Sequence, residues 1–218
     1  MFCSQGSFDN NSNLLSKYNT SRLFIMIVNL CLQNIENIKA DALVMPVDGN
    51  VFLLGSAAMK ALKESMRNFH GLDDWREMLE DLEREVRLLC PIPQGQARII
   101  PGDADWEWLL IIACQPHHVN DQIVTQDAFC KMLSASLSDG FNKCSQRGIK
   151  SIALTLISTG TRISPEQSIF SIAEAFATKR EIGIEIYWSF INKHQLQLAQ
   201  KTLGYLNIPL KIIVEELQ

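Results

Sequence analysis

The stretch SIALTLISTGTRISPEQSIFSIAEAF, from Ser151 to Phe176, constrains the fold more than any other part of the chain. Its opening run is apolar and β-branched with no polar alternation. That composition fits a strand buried on both faces, and such strands belong to sheets covered by helices on either side. The run stops at Ser-Thr-Gly, crosses a short polar loop to Pro165, and resumes as an amphipathic helix. Strand, small-residue turn, helix is the order in which α/β proteins build phosphate and nucleotide sites. The turn lies at the carboxyl end of the strand, and the next helix offers unpaired backbone N–H groups to an anion. A tight connection with no ligand has the same outline, so both readings stand at this point.

The rest of the chain repeats the alternation. IVNLCLQ reads as a first strand, and ADALVMPV (Ala40–Val47) as a buried one ended by Pro46 and the turn residues Asp48, Gly49 and Asn50. GSAAMKALKESMRNF predicts a helix. LDDWREMLEDLEREVRLLC predicts a second, with Leu72, Trp75, Leu79, Leu82, Val86 and Leu89 on one stripe and Pro91 as its stop. GQARIIPG and EWLLIIACQ predict strands around a turn at Pro101–Asp105, and a long helix follows, ending at Gly148. A helix from Pro165 to about Lys179, the strand GIEIYWSF, a helix over Lys193–Tyr205 and a final strand PLKIIVEEL complete the chain. Alternating strands and helices imply an α/β protein, a three-layer α/β/α sandwich with a mixed, partly parallel central sheet. Residues 1–25 are rich in Ser and Asn and lack periodicity; they read as a flexible N-terminal extension, or as sequence upstream of a start at Met26. Residues 26–218 read as a single domain.

Composition narrows the function classes. A formal charge of −4 without Lys/Arg clusters disfavours a nucleic-acid partner. No apolar run approaches the ~20 residues that span a bilayer, so no membrane partner is expected. Six cysteines at irregular spacings, mostly inside apolar runs, predict free thiols in a reducing, cytoplasmic setting with neither disulfides nor a metal site.

In order and spacing the pieces resemble the macro domain, an α/β/α module that binds ADP-ribose, over roughly Met26 to Leu206. ADALVMPVD resembles the family's D-A-I-V-N-A-A-N strand and loop, and LLGSAAMKAL its glycine-rich loop and helix. QGQARII resembles the T-G-E-A-V strand start, and LLIIACQP the strand ending V-G-P. GIKSIALTLISTGTRISP resembles G-x-x-S-I-A-F-P-A-I-S-T-G-x-x-G-Y-P and is the most specific match.

The resemblance implies a ligand running between two loops. Ser158, Thr159 and Gly160, with the N–H groups of Thr161, Arg162 and Ile163, would wrap the diphosphate and one ribose, while Gly55 and Ser56 would flank the diphosphate from the other side. Asn34 stands where the family places an Asp that accepts from the adenine amino group; its amide oxygen can accept, without the charge. Asp41 belongs to the D-A-I-V position and does not replace it. Met45 and Asp48 take the two Asn positions of the distal-ribose element, the water-positioning Asp falls on Ala58 or Met59, and the second loop's later glycine and aromatic fall on Ile163 and Ser164. Three functions follow as alternatives. The first is binding of ADP-ribose, a related nucleotide or an ADP-ribosylated protein without efficient catalysis. The second is ADP-ribosyl hydrolysis by an altered set, with Asp48 as base and Lys60 or Lys63 as nucleophile. The third is a degenerate site on a protein-interaction scaffold. No cofactor is implied.

The remaining candidates have ordinary readings beside functional ones. His117 and His118 invite a metal or acid–base role but lack a third ligand at useful spacing. His70 suits a helix end and His194 a surface. Arg162 is either a solvated charge or an anion clamp. Trp106 and Trp108 are expected on one strand face, one at the core edge and one closing the cleft. Asp103 and Asp105 read as turn residues, and Tyr187 and Trp188 as packing.

Overall fold

The computed structural model describes residues 25–48, 51–52, 56–114, 125–157 and 163–213. Among these, eight strands and four α-helices follow one another in chain order. They are β1 (Ile27–Leu32), β2 (Ala42–Asp48), β3 (Val51–Phe52), α1 (Ala57–Leu89), β4 (Ala97–Asp103), β5 (Trp106–Ala113), α2 (Gln126–Gln146), β6 (Ser151–Leu154), α3 (Pro165–Thr178), β7 (Glu185–Phe190), α4 (Lys193–Tyr205) and β8 (Leu210–Ile213). A 3-10 turn over Ile35–Asn37 follows β1. The sheet order is β4-β5-β2-β6-β7-β1-β8, with β3 paired to β2. β2 runs parallel to β5 and β6, β6 to β7, and β1 to β7 and β8; β4–β5 and β2–β3 are antiparallel. This is the mixed α/β/α sandwich expected from the sequence.

Strand alternation divides the core into two. Val44 of β2, Leu110 and Ile112 of β5, Ile152 of β6 and Trp188 of β7 face the layer of α2, α3 and α4. Leu43, Met45, Leu109, Ile111 and Ala153 face α1 and the 3-10 turn. Because adjacent side chains on a strand point to opposite faces, a sheet covered on both sides needs the near-continuous apolar strands that the sequence carries.

The two helices expected between residues 56 and 90 form one element, α1, interrupted at Gly71, whose φ of 82° and ψ of −176° are non-helical. Only glycine adopts that region at little cost. Beside the break, His70 Nε2 lies 2.8 Å from the Asp103 carboxylate, and Ser65 Oγ donates to Asp105. These two carboxylates are therefore more than turn residues: they fasten α1 to the β4–β5 hairpin.

Asp41 has a comparable role at the amino ends of the strands. Its carboxylate accepts from the N–H groups of Lys150 (2.7 Å) and Ser151 (3.0 Å), and its own N–H donates to Ser151 Oγ. It thereby joins the entries of β2 and β6.

The tryptophan expectation is corrected. Trp106 is fully buried on the α1 face, whereas Trp108 packs against the other core and carries the Arg147 guanidinium 5.3 Å from its ring centre. The β4–β5 ladder pairs Pro101 with Trp108 and Asp103 with Trp106 but omits Gly102 and Glu107. Both rings sit at the amino end of β5, opposite the strand ends where ligands gather, so neither closes a cleft.

A side chain at Gly102 would run into the Trp106 carbonyl oxygen and come within 3.1 Å of Glu107 C and Trp108 N. Backbone cannot yield as a flexible side chain does. Gly102→Ala should therefore destabilise the protein by about 1–3 kcal/mol, read as a lower midpoint in urea unfolding. An unchanged midpoint would mean the hairpin accommodates a Cβ there.

Candidate functional site

In a sheet of this kind helices cover both faces, and the carboxyl ends of the parallel strands are what remains open to a ligand. A cavity of about 450 Å3 lies there. Its walls come from the segment after β1 (Asn34, Ile35, Glu36), the start of α1 (Ala57, Lys60), the residues after β6 (Thr155, Leu156), the end of β7 (Ser189, Phe190, Ile191) and Gln195 of α4.

Each wall is held from behind. Ile35 and Ile38 are buried in the α1-side core, which fixes the 3-10 turn and leaves Asn34 and Glu36 outward. Ser189 Oγ donates to the Gln33 carbonyl oxygen at 2.6 Å, tying the end of β7 to the exit of β1. Ser168 of α3, fully buried, donates from its hydroxyl to the Ile157 carbonyl (2.9 Å) and accepts from the Ile157 N–H (3.2 Å). That clamp sets where the chain leaves β6. Phe190 is buried, but Ile191 beside it is 81% exposed, a large apolar side chain at the mouth of the cavity. Asn34 Nδ2 donates to Glu36 Oε1 at 3.3 Å, so the Asn34 amide oxygen is left to accept.

The positions expected from the sequence divide as follows. Asn34 lines the cavity. Ser56 stands at the N-terminus of α1, where its hydroxyl accepts from the Met59 N–H as an N-cap. Ile163 is buried in the core under α3, so only its backbone faces outward chemistry. Gly55, Ser158, Thr159, Gly160, Thr161, Arg162, His117 and His118 lie outside the described residues, as does the side chain of Asp48, whose backbone ends β2. Met45, at the first Asn position of the family pattern, is fully buried in the α1-side core and does not enter the cavity.

The helix N-terminus that opened the sequence argument is corrected. α3 begins with Pro165, which has no N–H, and Ser164 and Gln167 form a reciprocal capping box. Glu166 adds a carboxylate in the first turn; the Ser164 hydroxyl, and then its own backbone N–H, hold its carboxyl below the usual range. Those donors and that charge leave α3 poorly suited to an anion. α1 differs: its first turn contains no acidic residue.

What sequence reasoning missed is the β7 wall. Tyr187 and Trp188 of this strand read as packing in the sequence, and Ser189, Phe190 and Ile191 are given no role there. The available signal was an apolar residue, Ile191, placed after the strand's last buried residue and directly before the α4 N-cap Asn192.

A larger hollow of about 680 Å3 lies between α2, α3 and α4, over Cys130, Phe170 and Leu198. It sits on the outer helical layer. Among the described residues no group of three or more His, Cys, Asp or Glu is placed to hold a metal ion, and no helix is long and apolar enough to cross a membrane.

No family model matches the chain, and no curated protein matches it in sequence. Solved structures do. The Oceanobacillus iheyensis macrodomain with MES bound superposes with a TM-score of 0.62 at 13% identity, covering 84% of this chain and 92% of that one. The same macrodomain with ADP gives 0.59 at 15% identity, covering 81% and 89%. The Trypanosoma brucei macrodomain in complex with ADP-ribose gives 0.56 at 14% identity, covering 81% and 69%. The chain has the macrodomain fold, as the sequence resemblance implied.

Among the described residues no cysteine lines the cavity. Burial raises the Cys144 thiol to about 12 and the Cys90 thiol above its usual value. At pH 8 the native protein should therefore leave Cys144 unmodified by iodoacetamide, since the thiolate is the reacting species. Peptide mass spectrometry checks this; rapid labelling of Cys144 without unfolding would contradict its burial.

Proposed function

We propose that this chain binds ADP-ribose, or an ADP-ribosylated target, in the cleft at the carboxyl ends of β1, β6 and β7, without efficient hydrolysis. The observation that carries the reading is the cavity itself: an acceptor amide from Asn34 and apolar walls from Ile35, Leu156, Phe190 and Ile191 meet where a macrodomain fold leaves its strand ends open. Those walls suit the faces of a nucleobase, and the Asn34 oxygen suits an exocyclic amine at its edge. The loop Ser158–Arg162 would then hold the diphosphate through its own backbone amides, because the capped α3 terminus contributes little.

The binding reading is preferred to the hydrolytic one on chemistry. Ala58, at a position where the family pattern puts its water-positioning acid, is buried and apolar, and so is Met59. Asp48 remains the candidate base for the alternative, with Lys60 or Lys63 as nucleophile. A scaffold that binds protein through a decayed site is the third reading, and a failure of all nucleotide binding would favour it.

Calorimetric titration of ADP-ribose into the full chain should give a micromolar Kd. Asn34→Ala should weaken it about fivefold, the value of one neutral hydrogen bond. Gly160→Glu should abolish it by putting a carboxylate where the diphosphate must lie. Wild-type affinity in Gly160→Glu would remove that loop from the site. Should the protein release ADP-ribose from a modified substrate, Asp48→Ala decides the base: activity that survives the substitution excludes Asp48.

A further inference from the structure

We infer that Lys60 is an anion-binding residue of this cleft and that its partner is the phosphate attached directly to the bound nucleoside. The inference rests on the nucleotide reading above and adds which residue supplies the charge and to which part of the ligand.

Lys60 sits one turn into α1, three residues beyond Ala57, so both present the same helix face, and both line the 450 Å3 cavity. A surface lysine on a helix normally meets a carboxylate three or four residues away. Here Glu64, at i+4, is bonded to Arg67 instead. Glu36, the acid among the described residues that line the cavity, accepts from the Asn34 amide. Among the described residues no ion pair is made by Lys60, although the same structure pairs Lys131 with Asp127 and Lys143 with Asp139. Lys60 is thus an exposed cation that lines a partly apolar pocket and makes no ion pair among the described residues.

The cavity is consequently polarised. The 3-10 turn contributes acceptors and one negative charge, which repel phosphate and attract an amine. The α1 wall contributes an ammonium, which does the reverse. A ligand with an amino-bearing base and an anionic group close to its sugar satisfies both walls; an uncharged nucleoside satisfies one. The geometry therefore points to a nucleoside 5′-phosphate as the minimal ligand of the described cavity, with the second phosphate and distal ribose belonging to the adjoining loops.

The test compares AMP, adenosine and ADP-ribose on the full-length wild type, Lys60→Ala and Lys60→Arg, by titration calorimetry at low and high salt. Alanine is well tolerated on an exposed helix face, so the variant should fold, and unchanged thermal unfolding confirms it. Lys60→Ala should weaken AMP and ADP-ribose about tenfold, leave adenosine unchanged and flatten the salt dependence; Lys60→Arg should restore most of the loss. If wild type binds ADP-ribose but Lys60→Ala binds it equally well, the role assigned to Lys60 is wrong and the cleft reading stands. If adenosine weakens as much as AMP, Lys60 acts on the shape of the pocket and not on phosphate, which also overturns the inference. If wild type binds none of the three, the nucleotide reading itself fails and Lys60 with it.

Discussion

The structure depends on a sheet whose central strands have no solvent-facing side. β2, β6 and β7 send alternate residues into two separate cores, one under α1 and one under α2, α3 and α4. Apolar burial on both faces supplies the driving force for folding and leaves the sheet no face for a ligand. Binding is displaced to the strand ends. There the chain must turn, and polar backbone groups and small residues accumulate because the turns need them. The cavity between Asn34, Lys60, Leu156 and Ile191 follows from that constraint.

The two helices that begin at this edge have been given different roles by their first residues. α3 is sealed by its own Ser164–Gln167 box, by Pro165 and by the charged Glu166. Its contribution is mechanical: Ser168, one turn further on, grips both polar groups of Ile157 and so fixes the exit from β6. α1 has no acid in its first turn, and Lys60 at the end of that turn lines the cavity. The division explains how a chain can keep the fold while departing from the glycine-rich loop and the acidic adenine contact of the family it resembles. In the proposed site the Lys60 ammonium would add to the loop amides an attraction for an anion that is longer-ranged and more sensitive to salt.

Much of the fold was legible in the sequence. The run IALTLI, the Pro165 start and the glycine at position 148 mark their elements closely, because unalternated apolar strands, N-terminal proline and a glycine at φ 77° are local signals. What escaped was tertiary. That Asp103 and Asp105 would fasten α1, that α3 would cap itself so completely, and that Ile191 would stand at a cavity mouth all depend on which elements meet. Trp106 and Trp108 failed for a related reason: spacing of two predicts one face only in a regular strand, and here the two rings lie in different cores on either side of the unpaired Gly102–Glu107 position.

The central claim is that the strand-end cavity is where ligand binds. The most direct measurement is amide chemical-shift mapping during titration of ADP-ribose into isotope-labelled full-length protein. The account predicts perturbations concentrated at Asn34, Ala57, Lys60, Thr155–Ile157 and Ser189–Ile191, with Asp41, Trp106 and Trp108 at the opposite end unmoved. Perturbations confined to the hollow between α2, α3 and α4, or none at millimolar ligand, would contradict it.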